Sequence, residues 1–206
     1  MRVELDVPQP TLLVPEEGEA IGDSTNRLLV ILCDDPGLVA TWTRFKPRRD
    51  GAAAHVHRAH CDLFYVLGGE LTVLVGPARE EHVLSTGTLV LAPPLVVHGF
   101  RNDGDDELCY LNFHAPNGGF ADYLRGVTPG FDSEDPPADG GRPVTEAVIV
   151  PPQTDGVLVD RDEIRIEVRD APGPASGRPT YLYALEDGRV LEIQAAARSR
   201  FDQVET

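Results

Sequence analysis

Three histidines and one aspartate stand at spacings that suit a metal site. His55 and His57 are two residues apart, Asp62 follows His57 by five residues, and His98 lies 41 residues beyond His57. In an extended chain, residues i and i+2 point to the same face, roughly 6–7 Å apart, so two imidazoles can reach one ion. A His-x-His pair alone is a weak signal, because many such pairs are surface accidents.

The surroundings of Asp62 and His98 strengthen the metal interpretation. Asp62 opens the apolar run DLFYVL, and His98 lies inside the apolar stretch PPLVVHGFRN. A carboxylate at the start of such a strand is explained by ligation or by simple exposure at the strand edge. A lone histidine in an apolar strand is commonly a hydrogen-bonded core residue. Imidazoles and a carboxylate brought together in a barrel interior would suit Fe, Mn, Ni, Cu or Zn.

These residues lie in two stretches that resemble the two sequence motifs of the cupin superfamily. The first stretch is HVHRAHCDLFYVLGGEL and the second is GTLVLAPPLVVHGFRN. The first motif's positions are filled by His55, His57, Asp62 and Gly69, and the second motif's positions by Gly87, Pro93, His98 and Asn102. The resemblance extends over residues 28–125. Two spaced motifs together are specific for the fold and much less specific for the reaction.

The resemblance implies an all-β chain folded as a double-stranded β-helix, or jelly-roll barrel, with a metal ion inside. The implied ligands are His55, His57 and His98 through imidazole nitrogens, with Asp62 completing the site. The expected cofactor is a divalent ion, Fe²⁺ in the first place, with Mn²⁺, Ni²⁺, Cu²⁺ and Zn²⁺ as alternatives. A homodimer is also implied, because cupins often pair through edge strands.

The chain departs from the family pattern in three places. One is the glycine that usually precedes the first histidine by six residues, where this chain has Arg49, with Gly51 closer. Asp62 stands where the family usually has Glu, and its reach is shorter by over ~1 Å because it lacks one methylene. Direct ligation, ligation through water and a three-histidine site all stay open. Leu95 replaces the usual glycine of the second motif, which alters a turn rather than a ligand.

The predicted activity is that of a metal-dependent, dioxygenase-type oxidoreductase acting on a small organic substrate, similar to the quercetinase-like cupins. In this reading Asp62 is also the catalytic residue, as a proton acceptor when it leaves the metal. One alternative is a non-redox isomerase, epimerase or decarboxylase that uses the same ligands. The other is a cupin that binds a small molecule without catalysis, since fold does not determine function.

The three other histidines have less definite interpretations. His60 lies between ligand positions and either contacts the site or faces solvent. His114 ends a strand and is a candidate for a contact with substrate or with a ligand, or else an ordinary strand-end residue. His82 neighbours two glutamates in an expected surface turn.

The elements that must position these residues are short β-strands. Apolar runs separated by turn signals are typical of an all-β sandwich or barrel. The runs before the linker are 28–33, 38–45, 62–67, 71–75, 88–92, 96–101 and 107–113. Gly68-Gly69 predicts a hairpin between two of them. Phe120, Tyr123 and Leu124, followed by Gly126, predict one short helix.

The chain divides into three predicted segments. Residues 1–126 form the barrel domain, residues 127–146 a Pro/Gly/Asp-rich linker, and residues 147–206 a C-terminal β-rich extension. The extension contains no histidine and so adds no imidazole ligand. Within it, Asp187-Gly188 predicts a two-residue hairpin.

Composition limits the partners and the location. The formal net charge is −16, from 18 Lys and Arg against 34 Asp and Glu, which disfavours nucleic acid and anionic membranes as partners. No apolar run approaches the roughly 20 residues of a membrane span, and the N-terminus does not read as a signal peptide. A cytoplasmic protein with a small-molecule substrate is expected. Three widely spaced cysteines without Cys-x-x-Cys predict free thiols rather than a disulfide framework or a thiolate zinc site.

Overall fold

The strands of the protein form three sheets. The computed structural model describes residues 9–24, 27–153, 155–174 and 176–196. The seven-stranded sheet has the order β12 (Val148–Val150), β9 (Leu89–Ala92), β6 (Cys61–Gly68), β11 (Leu108–Ala115), β4 (Leu38–Phe45), β3 (Arg27–Asp35), β2 (Glu19–Ser24). The four-stranded sheet has the order β5 (Arg49–Asp50), β10 (His98–Asn102), β7 (Glu70–Val75), β8 (Glu80–Ser85). The five-stranded sheet has the order β1 (Thr11–Leu12), β15 (Thr180–Ala184), β16 (Val190–Ala195), β14 (Ile164–Arg169), β13 (Gly156–Asp160).

The seven-stranded and four-stranded sheets form the walls of a barrel. Because side chains alternate along a strand, β6 directs Phe64 and Val66 into the barrel. They belong to a buried cluster that also includes Val73 of β7 and Tyr110 of β11. The expected all-β barrel is therefore confirmed, and so is the C-terminal β extension.

The C-terminal sheet covers the outer face of the seven-stranded sheet. One buried cluster joins Leu63 of β6 and Phe113 of β11 to Ile164 and Ile193 of the C-terminal sheet. Strands β6 and β11 are thus buried on both faces. That double burial is the physical reason why DLFYVL is a continuous apolar run rather than an alternating one.

Two local predictions are wrong. Gly68-Gly69 does not form a hairpin, because β6 pairs with β9 and β11 while β7 pairs with β8 and β10. The two glycines carry the chain from one barrel wall to the other, and Gly69 has a φ of +75° with the carbonyl oxygen of Glu107 2.4 Å from where a Cβ would lie. The expected surface turn at His82 is instead strand β8, which pairs with β7.

The predicted helix and the predicted hairpin in the extension are confirmed. Helix α1 spans Phe120–Leu124, and its Ala121 packs against Ile31 and Val39 of the barrel. Strands β15 and β16 pair antiparallel across Asp187-Gly188, but the loop has three residues, 186–188, and not two, because the amide of Leu185 donates to the carbonyl oxygen of Arg189. The two 3-10 helices span Pro15–Glu17 and Val144–Glu146. In the part of the chain described here, no helix has the length and apolar content of a membrane span.

The segment 127–146, expected as a linker, lies against the barrel; we call it the strap. Its Glu134 exchanges two backbone hydrogen bonds of 3.0 Å with Val56, between the two motif histidines. The strap therefore borders the region where the histidines lie. Cys33, Cys61 and Cys109 are all free thiols, as expected.

Candidate metal centre

Backbone pairing brings the first and second motifs together. His55 and His98 exchange two backbone hydrogen bonds, of 2.8 and 3.0 Å, in an antiparallel bridge at the first residue of β10. The bridge places their rings side by side, with centroids 4.4 Å apart. His57, two residues on, turns its ring to the same side, 4.8 Å from that of His55.

The four predicted ligands converge on one region. One ligand atom from each of His55, His57, Asp62 and His98 lies within 4.8 Å of the others. Asp62 Oδ2 is 3.2 Å from His98 Nε2 and 3.5 Å from His57 Nε2. All except His55 are buried. The structure thus brings together residues from a loop, from β6 and from β10, as the motif spacing requires.

Each of the three imidazoles is held by its outer nitrogen. Nδ1 of His55 lies 2.7 Å from the carbonyl oxygen of Ala53, and Nδ1 of His98 lies 2.9 Å from that of Val96. Nδ1 of His57 contacts the carbonyl oxygen of Asp132 in the strap. A carbonyl accepts only, so each Nδ1 donates, and Nε2 is the nitrogen left to face an ion. Nε2 of His98 donates to Asp62 Oδ2 at 3.2 Å, a contact that a bound ion would replace. This is the arrangement by which proteins orient metal-binding histidines.

One buried nitrogen in the group has no hydrogen-bond partner. It is Nε2 of His57, in a side chain with 1% relative exposure. An unpaired polar atom in a buried position is costly unless something else binds it. A divalent ion would supply that partner, and the donor set of three imidazoles and a carboxylate suits a transition metal. The residues present therefore fit a metal ion.

Asp62 is held in place by an amide that sequence reasoning missed. Asn112 Nδ2 donates to Asp62 Oδ1 at 2.5 Å, which leaves Oδ2 facing the imidazoles. Burial by itself raises the pKa of Asp62, but the imidazoles of His114, His57 and His98 outweigh it and hold the pKa well below the ordinary value. Asp62 is consequently ionised. Its Oδ1 is engaged by Asn112, and only Oδ2 is free to face an ion.

The pKa values of two candidate ligand histidines, His55 and His57, shift in opposite directions. Burial, and then the neighbouring His98, lower the pKa of His55 to about 4. Burial also lowers the pKa of His57, but the carboxylate of Asp62 and the contacts with Asp132 outweigh it, and its pKa is raised. A neutral His55 is ready to bind a cation, whereas His57 has to release its proton to the incoming ion.

The three other histidines differ in whether they lie near the candidate metal centre. His60 and His114 lie beside the centre, with His60 Nε2 2.8 Å from His114 Nδ1. Together with His57 they form a second group of close imidazoles, whereas His82 lies on β8 outside both groups.

Sequence reasoning missed Asp132, since nothing in a Pro/Gly/Asp-rich stretch distinguishes one aspartate. Asn112 did leave a signal: it is a polar residue in an apolar strand, two residues before His114 and therefore on its face.

Aromatic rings form a floor beneath the centre. Phe64 and Phe100 follow Asp62 and His98 by two residues on the same strands, so they point the same way into the barrel. Their ring centroids are 4.9 Å apart, and Tyr110 lies 5.7 Å from both. This packing fills the barrel interior below the ligands.

Aromatic residues on the opposite face line a separate cavity. Trp42, Tyr65 and Tyr183 border a space of about 1040 Å³ between the seven-stranded sheet and the C-terminal sheet. None of the histidines lines it. This cavity is therefore distinct from the candidate metal centre.

Residues 41–114 match the model of a family described as the cupin domain. The matched segment contains both motifs and all four predicted ligands. The chain carries a cupin domain. This cupin domain includes the aromatic floor as well as the ligands, whereas the strap and the C-terminal sheet lie beyond the matched residues. No curated protein matches the chain.

Solved structures with a similar fold each cover about half of the chain. KdgF from Halomonas sp. is 20% identical, and the match covers 53% of this chain and 96% of that one, with a TM-score of 0.46. An RmlC-like cupin from Shewanella frigidimarina is 25% identical, with coverages of 50% and 88% and a TM-score of 0.43. A protein with a double-stranded β-helix domain from Klebsiella pneumoniae is 20% identical, with coverages of 57% and 91% and a TM-score of 0.43.

Proposed function

We propose that this cupin is a metal-dependent oxidoreductase of the dioxygenase type that acts on a small organic substrate. One observation carries the proposal: three oriented imidazoles and an ionised carboxylate face one another inside the barrel. The proposed ligands are His55, His57, His98 and Asp62. When bound, a divalent ion there supplies Lewis acidity and, in the case of iron, the redox chemistry that dioxygen requires.

The protein side chains determine the charge of the site. Three neutral imidazoles and the Asp62 carboxylate leave a divalent ion with a net charge near +1, which favours an anionic oxygen group on the substrate. The low pKa of Asp62 makes it a weak proton acceptor. We therefore propose that its main role is that of a permanently charged ligand, held by Asn112.

The surroundings restrict where a substrate can approach. Of the four proposed ligands only His55 is partly exposed. The aromatic floor of Phe64, Phe100 and Tyr110 lies further along β6, β10 and β11. A small substrate would approach on the side of His55, and the apolar floor would keep water away from the reacting groups.

The test is oxygen uptake by the iron-loaded protein. Protein purified without added metal is first analysed for its elements, then loaded with Fe²⁺ and supplied with phenol, enediol and thiol substrates in turn. We expect substrate-dependent oxygen consumption, lost in His98→Asn because Asn keeps a donor for the carbonyl of Val96 but has no atom at Nε2. The matched control His82→Asn should retain full activity, since His82 lies outside both histidine groups.

Each other outcome has a definite meaning. A folded, iron-loaded protein that consumes no oxygen with any of these substrates contradicts the proposal. Conversion of a substrate without oxygen uptake would instead support the non-redox isomerase, epimerase or decarboxylase. A ligand that binds and is recovered unchanged would support a binding protein.

A further inference from the structure

A second group of histidines adjoins the proposed centre. Ligand atoms of His57, His60 and His114 lie within 4.8 Å of one another, and all three side chains are buried. This group shares His57 with the first and contains no carboxylate ligand. The proposed reaction assigns no role to His60 or His114.

The outer nitrogen of each added ring faces an oxygen acceptor. His60 Nδ1 lies 2.9 Å from Asp132 Oδ2, and His114 Nε2 lies 3.0 Å from Asn112 Oδ1. The side-chain amide of Asn112 cannot be flipped, with its oxygen and nitrogen exchanged, without loss of hydrogen bonds. Its Nδ2 already donates to Asp62 and to a backbone carbonyl of β6. Both outer nitrogens therefore carry protons.

The inner nitrogens of these two rings then face each other. His60 Nε2 and His114 Nδ1 are 2.8 Å apart. If both rings are neutral, two lone pairs meet at this distance, and a positive charge is needed to hold them there. In square-planar or octahedral geometry, two nitrogens bound at right angles to one ion at roughly 2.0–2.1 Å lie about 2.8–3.0 Å apart, whereas tetrahedral ligands lie about 3.3–3.4 Å apart. The pair thus already has the spacing of neighbouring ligands on one metal ion.

We propose that His57, His60 and His114 form a second metal position, which shares His57 Nε2 with the first. One ion per chain then occupies either position. The rings of His57 and His60 are now nearly parallel, 25° apart with centroids separated by 4.1 Å. His57 has to turn its ring to serve the second position, and that turn withdraws it from the first.

The donor set indicates which ions the second position prefers. All three donors are imidazole nitrogens, which suit Zn²⁺, Cu²⁺ and Ni²⁺. Mn²⁺ prefers oxygen ligands and would favour the first position, where Asp62 contributes a carboxylate. The choice of ion therefore distinguishes the two positions.

The decisive variant removes the first position and keeps its backbone contacts. The double variant His55→Asn/His98→Asn retains a donor near each Nδ1 but loses both Nε2 atoms. In the same background, His60→Asn keeps the donor to Asp132, and His114→Gln keeps the donor to Asn112, while both inner nitrogens are lost. His82→Asn is the matched control for the loss of a histidine outside both groups.

Metal bound per chain is measured by elemental analysis and by titration with Zn²⁺, Cu²⁺ and Mn²⁺, with near-ultraviolet circular dichroism as the test of folding. We expect the double variant to bind one Zn²⁺ or Cu²⁺ and no Mn²⁺. The fourfold variant should bind both ions at least ~100-fold more weakly, and its Cu²⁺ spectrum should lose nitrogen hyperfine structure. If four substitutions prevent folding, His114→Gln alone in the double variant should weaken binding at least ~10-fold.

Three results would overturn the proposal. In the first, the double variant folds but binds neither Zn²⁺ nor Cu²⁺. In the second, a folded variant that also lacks the inner nitrogens of the second position binds these ions as tightly as the double variant does. In the third, the native chain binds two ions at once. None of these measurements uses oxygen uptake. Failure of the second position is therefore distinct from failure of the proposed oxidoreductase.

Discussion

At the scale of the residue, Asn112 shows how an aspartate can serve where the family usually has glutamate. Strand β11 pairs with β6, with His114 opposite Asp62 and Asn112 opposite Phe64. The Asn112 amide holds Asp62 Oδ1 and leaves Oδ2 3.2 Å from His98 Nε2. The sequence left open direct ligation, ligation through water and a three-histidine site. On this geometry we propose direct ligation through Oδ2.

Buried neutral imidazoles make the stability of the metal-free protein depend on pH. Burial, followed by the neighbouring His98 and His57 respectively, lowers the pKa of His55 and of His60 to about 4. A ring with a folded pKa below its unfolded value of about 6.5 takes up a proton on unfolding between these pH values. The free energy of unfolding should therefore fall as the pH falls from about 6.5 to about 4, by on the order of 3 kcal/mol per ring at most.

Urea unfolding in the presence of a chelator, at pH 7 and at pH 4.5, measures this loss. The variant His55→Asn should show a smaller loss than the native chain. Asp62, with its pKa far below normal, titrates below this window, and the raised pKa of His57 acts above about 6.5 and in the opposite direction. Equal free energies of unfolding at the two pH values would contradict the prediction.

Asn102, the last residue of the second motif, has a structural role. It is buried, its Nδ2 donates to the carbonyl oxygens of Lys46 and Asp106 at 3.0 Å, and its Oδ1 accepts from the amide of Gly104. Asn102→Ala should lower the free energy of unfolding by about 2–3 kcal/mol, because buried backbone groups lose their partners. Chemical denaturation measures this, and a large loss of metal affinity in the folded variant would contradict a purely structural role.

At the scale of the element, the strap is part of the candidate site. The backbone oxygen of Asp132 contacts His57 Nδ1, and its carboxylate accepts from the amides of Arg58 and Ala59 and from His60. One residue of the strap thus orients two of the histidines. A segment with the composition of a linker is held in place by these polar contacts together with the apolar contacts of Phe131 and Val144.

Substitution of Asp132 should weaken both folding and metal binding. Asp132→Ala removes the acceptor of three hydrogen bonds, and we expect a loss of roughly 2 kcal/mol in the free energy of unfolding. We also expect about 10-fold weaker metal binding, because the partner of His60 is lost and that of His57 is disturbed. Denaturation and titration with a competing chelator measure the two effects.

Glu134 provides the matched control within the strap. It forms an exposed ion pair with Arg58 at 2.5 Å, and exposed pairs contribute little. Glu134→Gln should change neither stability nor metal affinity appreciably. Similar losses in Asp132→Ala and Glu134→Gln would show that the strap acts through its charge and not through the contacts of Asp132.

At the scale of the whole molecule, the barrel and the C-terminal sheet share one core. Ile193 of β16 is fully buried in the cluster that contains Phe113 of β11. Ile193→Ala should lower the free energy of unfolding by about 2–5 kcal/mol through the cavity it leaves. Trp42, the single tryptophan, lies on β4 of the barrel and packs against this cluster, so its fluorescence reports the transition.

The reporter and the substitution lie in different sheets, which makes the result informative. If the shared core makes unfolding cooperative, Trp42 should report the full loss caused by Ile193→Ala in a single transition. An unchanged Trp42 transition would show that the C-terminal sheet unfolds independently of the barrel.

The homodimer and the cytoplasmic location remain predictions, as do the boundaries of the three segments.

The sequence by itself determined the barrel, most of its strands and helix α1, and it singled out the four residues that we propose as ligands. These features have local signals: apolar runs, glycine and proline at turns, and motif residues at set spacings. At Asp187-Gly188, a turn dipeptide between two apolar runs predicts a hairpin, and the hairpin is confirmed. Gly68-Gly69 also lies between two apolar runs, yet it links two different sheets. Strand pairing depends on the whole chain and not only on the turn.

Only the tertiary structure decided which polar groups hold the four proposed ligands. Asn112 reaches Asp62 across the β6–β11 pair, and Asp132 reaches His57 and His60 from a segment more than 70 residues away along the chain. Such contacts depend on how sheets and loops pack, and packing leaves no periodic pattern in the sequence. The tertiary structure also decided that His60 and His114 face each other, because a ring's direction follows from the fold rather than from its neighbours in the chain.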